Sequence, residues 1–478
     1  MKRHLLGVAL LSLLAGCTVG PNYVKPEVPV EKKWDAEKQA ASEKTKELEV
    51  WWKTFNDRAL DSLVKEALQS NLDLKLAEAR VRDARAQLIV ARSAGLPQLN
   101  ASASDAWGGT SANIVEKTSF GSFHTTGATI GLYRAGFDAG WEVDVFGGIR
   151  RAVEAAQANV DASVEDLRSV QVTLLGEVAG IYMDLRGQQS LLNIAKDNLK
   201  SQQDTLELTQ ARYKGGLSSG LDVAEAEAQA ADTDSQIPHI EAAIKSDMYG
   251  LSVLLGKTPS ALSTELAKEG PVPVSAAEVL PGLPSELLQR RPDIRGAERR
   301  LAAATAGVGV ATADFYPSFN LAGLLNLESS YVTNFFSRDS GAWQIIPGVS
   351  LPVFTGGRLT AALDSMNAQQ QEALIIYKQT ILSALQEVEN SLTAYYRERT
   401  RLKFLLKEVE QNKLAVELAN ERYTKGLTGF IDVLTAERSL YASQSNLSQS
   451  QTTVSTNLVA LYKALGGGWN ATEANVNK

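Results

Sequence analysis

Cysteine and histidine are scarce in this chain of 478 residues, and their scarcity restricts the chemistry that it can perform. The one cysteine, Cys17, excludes a disulfide within a single chain. The three histidines are His4, His124 and His239, and none lies near a cluster of carboxylates or thiols in the sequence. Catalytic and metal sites are usually built from such clusters. We therefore expect neither an enzyme nor a bound cofactor or metal.

The chain also lacks long apolar runs and clustered positive charge. Beyond its first residues it has no apolar stretch of about 18 residues or more, so a transmembrane helix is not expected. Lysine and arginine are scattered, and the formal net charge is −7. This distribution argues against a nucleic-acid partner.

The N-terminus carries the features of a secretory signal. A basic start at Lys2 and Arg3 is followed by an apolar segment from Leu5 to Leu14. The sequence LAGC at residues 14–17 resembles a bacterial lipobox, which predicts a removed signal peptide over residues 1–16 and acyl chains on Cys17. Thr18 follows instead of aspartate, which by resemblance to sorted lipoproteins favours the outer membrane. The alternative is an ordinary secretory signal with a chance cysteine.

Two segments of the chain are copies of one another. Residues 212–227 read RYKGGLSSGLDVAEAE and residues 422–437 read RYTKGLTGFIDVLTAE, without a gap at an offset of 210. A glycine-containing break between two periodic segments predicts a helix–turn–helix corner in each copy. Earlier segments recur at an offset of 220, so the duplication covers most of the chain. After a tether and short N-terminal segment over residues 17–57, we predict structural repeats over residues 58–268 and 278–478.

Each repeat contains a helix too long for a compact domain. The proline-free segment from about Ile149 to Tyr213 keeps apolar residues at seven-residue spacing, which predicts a left-handed coiled-coil helix. About 64 residues at 1.5 Å each extend roughly 96 Å. Such a helix must pack against other long helices or line a tube. A second helix is predicted to return from Leu221 to Leu255, and the second repeat carries the same pattern.

Alternation between apolar and polar residues predicts two strands in each repeat. The clearest case is residues 135–144, where one face is apolar and the other carries Asp138, Glu142 and Asp144. An acidic face suits a water-filled lumen, although a sandwich strand is also compatible. The strands have about ten residues, the length of a tilted membrane-spanning strand. Since four strands cannot close a membrane barrel, the barrel would be shared by a dimer, a trimer or a larger assembly.

Several segments together resemble the TolC family of outer-membrane efflux ducts, specifically its lipid-anchored branch. They are LAGC at 14–17, WEVDVFGGIRR at 141–151, LPSELLQRRPDIRGAE at 283–298, ADFYPSF at 313–319, the two RYxxGL corners and ALGGGW at 464–469. The resemblance implies a mainly α fold with a β-barrel part. In a homotrimer, four strands per chain would complete a twelve-stranded barrel in outer-membrane lipid, and both repeats would interleave in a periplasmic helical barrel.

The resemblance also implies a function and partners. The duct would passively export drugs and other small molecules, fed by an inner-membrane efflux transporter through a periplasmic adaptor protein. One alternative is a duct for protein secretion. A second is a lipid-anchored coiled-coil scaffold without a pore, which the heptads alone would fit but the alternating strands do not.

By the same resemblance, the corners lie at the periplasmic tips and meet the adaptor. The residues concerned are Arg212, Tyr213, Gly216, Leu217, Arg422, Tyr423, Gly426 and Leu427. Gly216 and Gly426 would let the chain turn where a β-branched residue could not. The alternative is a plain helix–helix turn. Tyr213 and Tyr423 lie on the heptad seam, where core packing is expected at least as much as docking.

An aperture gate is predicted just beyond the corners. Asp222 and Asp432 align with aspartates of the family's aperture motif, and in a trimer they would form a ring of carboxylates that attracts cations. Ile431 matches an apolar constriction residue of the lipid-anchored branch, and Thr435 stands where the archetype has a second aspartate. The alternative for both aspartates is helix capping, which stabilises a helix by roughly 0.3–1 kcal/mol.

One glycine motif suggests a nucleotide site only superficially. Gly307-x-Gly309-x-x-Thr312 resembles a dinucleotide-binding loop, but it lies inside a helical segment, lacks the third glycine and follows no strand. We interpret these glycines as positions of close helix packing.

Overall fold

The computed structural model describes residues 18–31, 33–35, 48–109, 111, 115–118, 121–124, 129–275 and 284–470. The chain forms two compact units, and each is assembled from both halves of the sequence. Of the described residues, the first includes those within 18–26, 82–161 and 298–376, and the second includes those within 27–81, 162–297 and 377–470. Cys17 and the predicted signal peptide lie outside the described residues.

The first unit contains a four-stranded antiparallel sheet. In chain order, the described strands are β1 (Gln98–Gly109), β2 (Val115–Thr118), β3 (Gly121–His124), β4 (Thr129–Val143), β5 (Ser318–Ser329) and β6 (Gly341–Ser350). The sheet has the order β1-β4-β5-β6, whereas β2 and β3 pair with each other. Among the described strands, β1 and β6 each pair on one side only, and β6 contains Pro347, a residue tolerated on an edge strand.

The register separates the side chains of the sheet onto an apolar face and a polar face. The apolar face carries Leu99, Ala101, Phe137, Trp141, Leu321, Leu325, Trp343, Ile345 and Val349. The polar face carries Gln98, Asn100, Ser102, Ser104, Asp138, Glu142, Asn320, Asn326 and Glu328. Trp343 is 76% exposed and Leu99 is 69% exposed, so the apolar face is uncovered in a single chain. The predicted alternation is confirmed.

The acidic part of the polar face is shorter than predicted, because Asp144 is not a strand residue. β4 ends at Val143, and the Asp144 carboxylate accepts hydrogen bonds from the N–H groups of Ile149 and Arg150 at 3.1 and 2.9 Å. It also pairs with the Arg150 guanidinium at 3.1 Å. Asp144 therefore caps the next helix, where a carboxylate satisfies free N–H groups and the helix dipole.

Paired helices account for most of the remaining described chain. They are α1 (Arg58–Ser70), α2 (Leu72–Ser93), α3 (Gly148–Lys214), α4 (Gly220–Leu254), α5 (Pro284–Arg290), α6 (Pro292–Ala313), α7 (Arg358–Thr424) and α8 (Phe430–Ala464). α3 and α7 have 67 residues each, a length of about 100 Å. None of the described helices has an apolar stretch long enough to cross a membrane.

The bounds of these elements repeat as the sequence does. α7 and α8 begin and end 210 residues after α3 and α4, while α6 and β5 begin and end 220 residues after α2 and β1. The offset changes between the strands of each repeat. The duplication is therefore visible in the structure element by element.

The apolar spacing from Leu60 to Gly95 is that of a single helix, but the structure has two helices there. Asn71 separates α1 from α2, because its backbone is extended, with ψ at 135°. Its side chain accepts a hydrogen bond from the N–H of Leu74 at 2.8 Å and donates one to the carbonyl of Leu254 at 2.8 Å. Asparagine offers the backbone such alternatives to a continuous helix.

The second unit has a large apolar core between the helices. Trp51, which is 1% exposed and begins a short 3-10 helix, stacks on Tyr462 of α8 with ring centroids 5.2 Å apart. Asp57 caps α1 and accepts a hydrogen bond from the Tyr182 hydroxyl of α3 at 2.9 Å. The segment before α1 is thus built into this core.

Candidate functional site

Both corners end their long helix with the same hydrogen-bonded turn. In the first, the N–H of Gly216 donates to the carbonyl of Tyr213 at 3.0 Å, and the N–H of Leu217 donates to Arg212 at 2.8 Å. In the second, the N–H of Gly426 donates to Tyr423 at 2.9 Å, and the N–H of Leu427 donates to Arg422 at 2.9 Å. This is the Schellman pattern, which needs a left-handed residue after the helix. Gly216 and Gly426 have φ of 70° and 71°.

The corners expose apolar side chains. Leu217 and Leu427 are 70% and 65% exposed, and Ile431 is 55% exposed one turn further on. Nothing within 4 Å would meet a Cβ on Gly216 or Gly426, so their surroundings are open. A protein partner could reach both turns.

The returning helices begin differently in the two repeats. Ser219 and Asp222 form a capping box, in which the N–H of Asp222 donates to the Ser219 hydroxyl at 3.2 Å and the N–H of Ser219 donates to Asp222 at 2.9 Å. In the second repeat Gly429 replaces the serine, and the Thr428 hydroxyl donates to the Asp432 carboxylate. Asp222 thus caps its helix, as the capping alternative expects, whereas Asp432 lies in the first turn without a capping hydrogen bond from its side chain.

These local roles leave the carboxylates accessible. Asp222 is half-buried and Asp432 is exposed in the single chain. The Thr435 hydroxyl donates to the carbonyl of Ile431 at 2.7 Å, so its hydrogen bond is made within its own helix. The local contacts of both aspartates are therefore compatible with a role in an aperture.

The corners of one chain lie against each other through an asymmetric contact. The Arg212 guanidinium lies 4.7 Å from the centroid of the Tyr423 ring, and its Nη1 donates to the carbonyl of Thr424 at 3.3 Å. Tyr423 also packs against Phe430, with centroids 5.7 Å apart, and is 4% exposed. Tyr213, its equivalent, is 53% exposed. Tyr423 is thus a core residue and Tyr213 is not. The sequence could not indicate this difference, because both tyrosines belong to the same RYxxGL motif.

A polar layer built around the buried Glu437 and Gln229 lies behind the corners. The Thr205 hydroxyl of α3 donates to the Glu437 carboxylate of α8 at 3.0 Å, and Arg438 Nε donates to Gln229 Oε1 at 2.5 Å. Burial raises the pKa of Glu437, and the hydrogen bond from Thr205 offsets only part of that effect. The sequence did not predict this layer, because polar residues between the apolar positions of a heptad pattern are expected to face solvent.

The start of the described chain is clamped onto the first unit. Arg151 is 3% exposed and donates to the carbonyls of Val19 and Gly20 at 3.1 and 3.3 Å and to Asn22 Oδ1 at 2.7 Å. The N–H of Val19 donates to the carbonyl of Phe146 at 3.1 Å. Only residues far apart in sequence meet here, so no local pattern could have predicted the clamp.

The clamp explains one of the two glycines in the nucleotide-like motif. A Cβ on Gly20, whose φ is 84°, would lie 2.5 Å from the Cα of Gly309. A Cβ on Gly309 would lie 2.8 Å from the Arg151 side chain, whereas one on Gly307 would meet only Met366 at 3.7 Å. Gly309 therefore permits a close approach by Arg151 of α3, as helix packing predicts, and also by Gly20 of the tether. Within the described ranges, no group of three or more His, Cys, Asp or Glu residues could hold a metal ion.

Comparisons with known proteins agree with this architecture. The model of the family described as outer membrane efflux protein matches residues 63–257 and 283–467, once in each repeat. The chain is 32% identical over 458 residues to nodulation protein T of Rhizobium leguminosarum bv. trifolii, covering 96% of each chain. It is 33% identical over 486 residues to the solvent efflux pump outer membrane protein SrpC of Pseudomonas putida, covering 99% of this chain and 100% of that protein. The solved outer-membrane channel OprN superimposes with a TM-score of 0.85 at 34% identity, over 95% of this chain and 100% of that chain.

Proposed function

The chain belongs to the outer membrane efflux protein family, and we propose that it is the outer-membrane channel of a tripartite pump that exports small organic molecules. Relatives are named for the efflux of solvent, toluene and antibiotics. The observation that carries the proposal is a sheet with one exposed apolar face, one polar face and open edges, joined directly to helices of 67 residues. A scaffold without a pore needs the helices but not this sheet.

The open edges of the sheet require strands from other copies of the chain, and we propose that three copies supply them. Backbone groups on β1 and β6 need partners in hydrocarbon, where no water can replace them. Joining β6 of one copy to β1 of the next supplies those partners. Three copies then close a barrel of twelve strands with the apolar faces toward lipid and the polar faces toward the lumen.

The corners are proposed to receive the periplasmic adaptor, which links the channel to an inner-membrane transporter. The exposed Leu217 and Leu427 offer matching apolar contacts in both repeats. The positively charged Lys214 and Lys425 nearby are exposed as well. Single cysteines at Leu217 and Leu427 should crosslink to the adaptor, whereas crosslinks only from residues far from the corners would reverse this orientation.

Asp222 and Asp432 are proposed to form the aperture of the closed channel. Three copies bring six carboxylates to one level, with the exposed Ile431 beside them. The capping box holds the Asp222 carboxylate and the Thr428 hydroxyl holds that of Asp432, and neither contact competes with that role. A ring of like charge should admit cations in preference to anions.

Cys17 is proposed to carry the lipid anchor of the mature chain. The Arg151 clamp supports this, because it fixes Val19 and Gly20 beside Phe146, three residues after β4 ends. An anchor that begins there starts next to the strands that would span the membrane. Mass spectrometry and acyl labelling of Cys17→Ala test the assignment, and unchanged processing and labelling would refute it.

Dye efflux tests the proposed function as a whole. Expressed with its transporter and adaptor in a host without its own outer-membrane efflux channels, the chain should lower the steady-state accumulation of a fluorescent dye. Dissipating the ion gradient across the inner membrane should abolish the difference in dye accumulation between cells with and without the chain, because the channel itself is passive. Accumulation equal to that of the empty vector, with the chain present in the outer membrane, would overturn the proposal.

A further inference from the structure

The first unit contains a cavity where the strands meet the helices. Its volume is about 540 Å³, which is within the range of sites that bind small organic molecules. One side is lined by Glu142 near the end of β4, Ser318 at the start of β5 and Ser350 at the end of β6. The other sides are lined by the ends of α2 and α6 and by the starts of α3 and α7.

The strand residues Glu142, Ser318 and Ser350 belong to the polar face of the sheet. Glu142 pairs with Asn320 across β4 and β5, and Ser318 pairs with Ser350 across β5 and β6. Because alternate side chains of a strand point to the same face, Ser318 shares the face of Asn320 and therefore that of Glu142. In the proposed channel this face lines the lumen, so the cavity lies beside the path of the exported molecules.

The wall of the cavity includes a stacked aromatic pair. Phe146 and Tyr316 both line it, with ring centroids 4.7 Å apart and an interplanar angle of 30°. Tyr316 is 41% exposed, so part of its ring is available to a ligand. Small apolar side chains leave room beside these rings, and they belong to Ala91, Ala94, Ala152 and Ala313. Such a wall can accept a bulky apolar group, and an aromatic face also attracts cations.

The charges of the cavity favour a positively charged ligand. Asp144 lines it but is already paired with Arg150 at 3.1 Å. Glu142, Asp314 and Arg358 also line it, and all three are exposed. None of these three side chains forms an ion pair or a hydrogen bond with the described part of the chain. Two unpaired carboxylates therefore stand against one unpaired guanidinium.

We propose that this cavity binds amphipathic organic cations on their way through the channel, with their apolar groups against Tyr316 and their charge near Glu142 and Asp314. The inference rests on the proposed channel function and names one class of molecule that the channel holds in transit. Phe146 is a positioning residue, because it stacks on Tyr316. Since both carboxylates are exposed to water, each contributes little to binding, and the ligand can leave again.

Block of the single-channel current tests this proposal in the full-length protein. Tetraphenylphosphonium, a cation with four aromatic rings, is added to the parent channel in planar bilayers, and the concentration that halves the current is measured. Tetramethylammonium, a cation without rings, should block less at the same concentration. Tetraphenylphosphonium also enters the lipid, but it does so equally for every variant, so differences between variants report the protein.

Substitutions in the cavity should shift the half-blocking concentration in opposite directions. Glu142→Gln combined with Asp314→Asn should raise it roughly fivefold, because two attractive charges are lost. Arg358→Gln should lower it, because the one repelling charge is removed. Tyr316→Leu should raise it about threefold, whereas Tyr316→Phe keeps the ring and should leave it unchanged.

Asp138 supplies a matched control for the charge of the lumen as a whole. It lies on the same face of β4 as Glu142 but does not line the cavity, and it accepts a hydrogen bond from Asn100 at 3.0 Å. Asp138→Asn should shift the half-blocking concentration much less than Glu142→Gln does. Equal shifts would show that the charge of the lumen, and not the cavity, attracts the cation.

The remaining outcomes separate this inference from the proposed function. If the parent conducts ions and its block by tetraphenylphosphonium is the same in every cavity variant, the cavity is not a binding site while the channel stands. If the parent inserts into the bilayer and conducts no ions, the proposed function fails and this inference fails with it.

Discussion

Replacing Gly216 by alanine tests whether the corners depend on left-handed backbone. Gly216 has φ of 70°, and a Cβ there would meet nothing within 4 Å. The change therefore adds conformational strain without a steric clash. A residue other than glycine costs about 1–2 kcal/mol in the left-handed region, and this loss falls on the turn that ends α3.

Hydrogen exchange by mass spectrometry on the assembled protein measures that loss locally. If the last turn of α3 opens more easily by about 1–2 kcal/mol, its amides should exchange roughly 5–30 times faster. The same should hold for Gly426→Ala at the end of α7, because Gly426 has φ of 71°. Peptides from the middle of either helix should exchange as before.

Gly215 supplies a matched control in the same turn. It does not have positive φ, its Cβ would lie 3.5 Å from the Arg212 carbonyl oxygen, and Lys425 occupies its position in the second corner. Gly215→Ala should leave exchange unchanged or slow it slightly, since it reduces the freedom of the unfolded chain. Equal effects of Gly215→Ala and Gly216→Ala would refute the reasoning.

Three further predictions concern the aperture, the buried polar layer and the tether. Asp222→Ala and Asp432→Ala should raise single-channel conductance in planar bilayers and weaken cation selectivity, most in the double variant; unchanged conductance with a lower melting temperature would leave only capping. Burial raises the pKa of Glu437 above its usual value of 4.5, so the charged carboxylate destabilises the fold once the pH exceeds that raised pKa. Glu437→Gln removes this charge and should therefore raise the unfolding temperature at neutral pH. The difference in unfolding temperature between variant and parent, measured by circular dichroism, should shrink as the pH is lowered. A difference that grows on acidification would contradict a raised pKa for Glu437. Gly309→Ala should make the tether more sensitive to proteolysis, because its Cβ would lie 2.8 Å from Arg151. Gly307→Ala should not, and equal cleavage of the two variants would exclude the close approach at Gly309 as the cause.

Regular patterns made much of the fold predictable. The seven-residue spacing located α3 and α7, the glycines marked the corners, and alternation located the second half of β4, because each signal is local. The break at Asn71 is not visible in the sequence, since the apolar spacing runs through it and its side chain bonds to a residue 183 positions away. Asp144 was misassigned because it continues the alternation but satisfies the helix that follows.

The candidate site was predictable only in part. The duplicated RY motif indicated two equivalent corners, yet packing buries Tyr423 and exposes Tyr213. Nothing near either tyrosine in sequence distinguishes them except Phe430 and Gly220. The Arg151 clamp joins residues more than 120 positions apart, so only the folded chain reveals it.

The central claim is that copies of this chain together enclose a membrane pore. Single-channel recording of the purified full-length protein in planar bilayers tests it most directly. The account predicts discrete, repeated conductance steps from the trimeric fraction and none after heating has separated the copies. A folded trimer that inserts into the bilayer without conducting would contradict it.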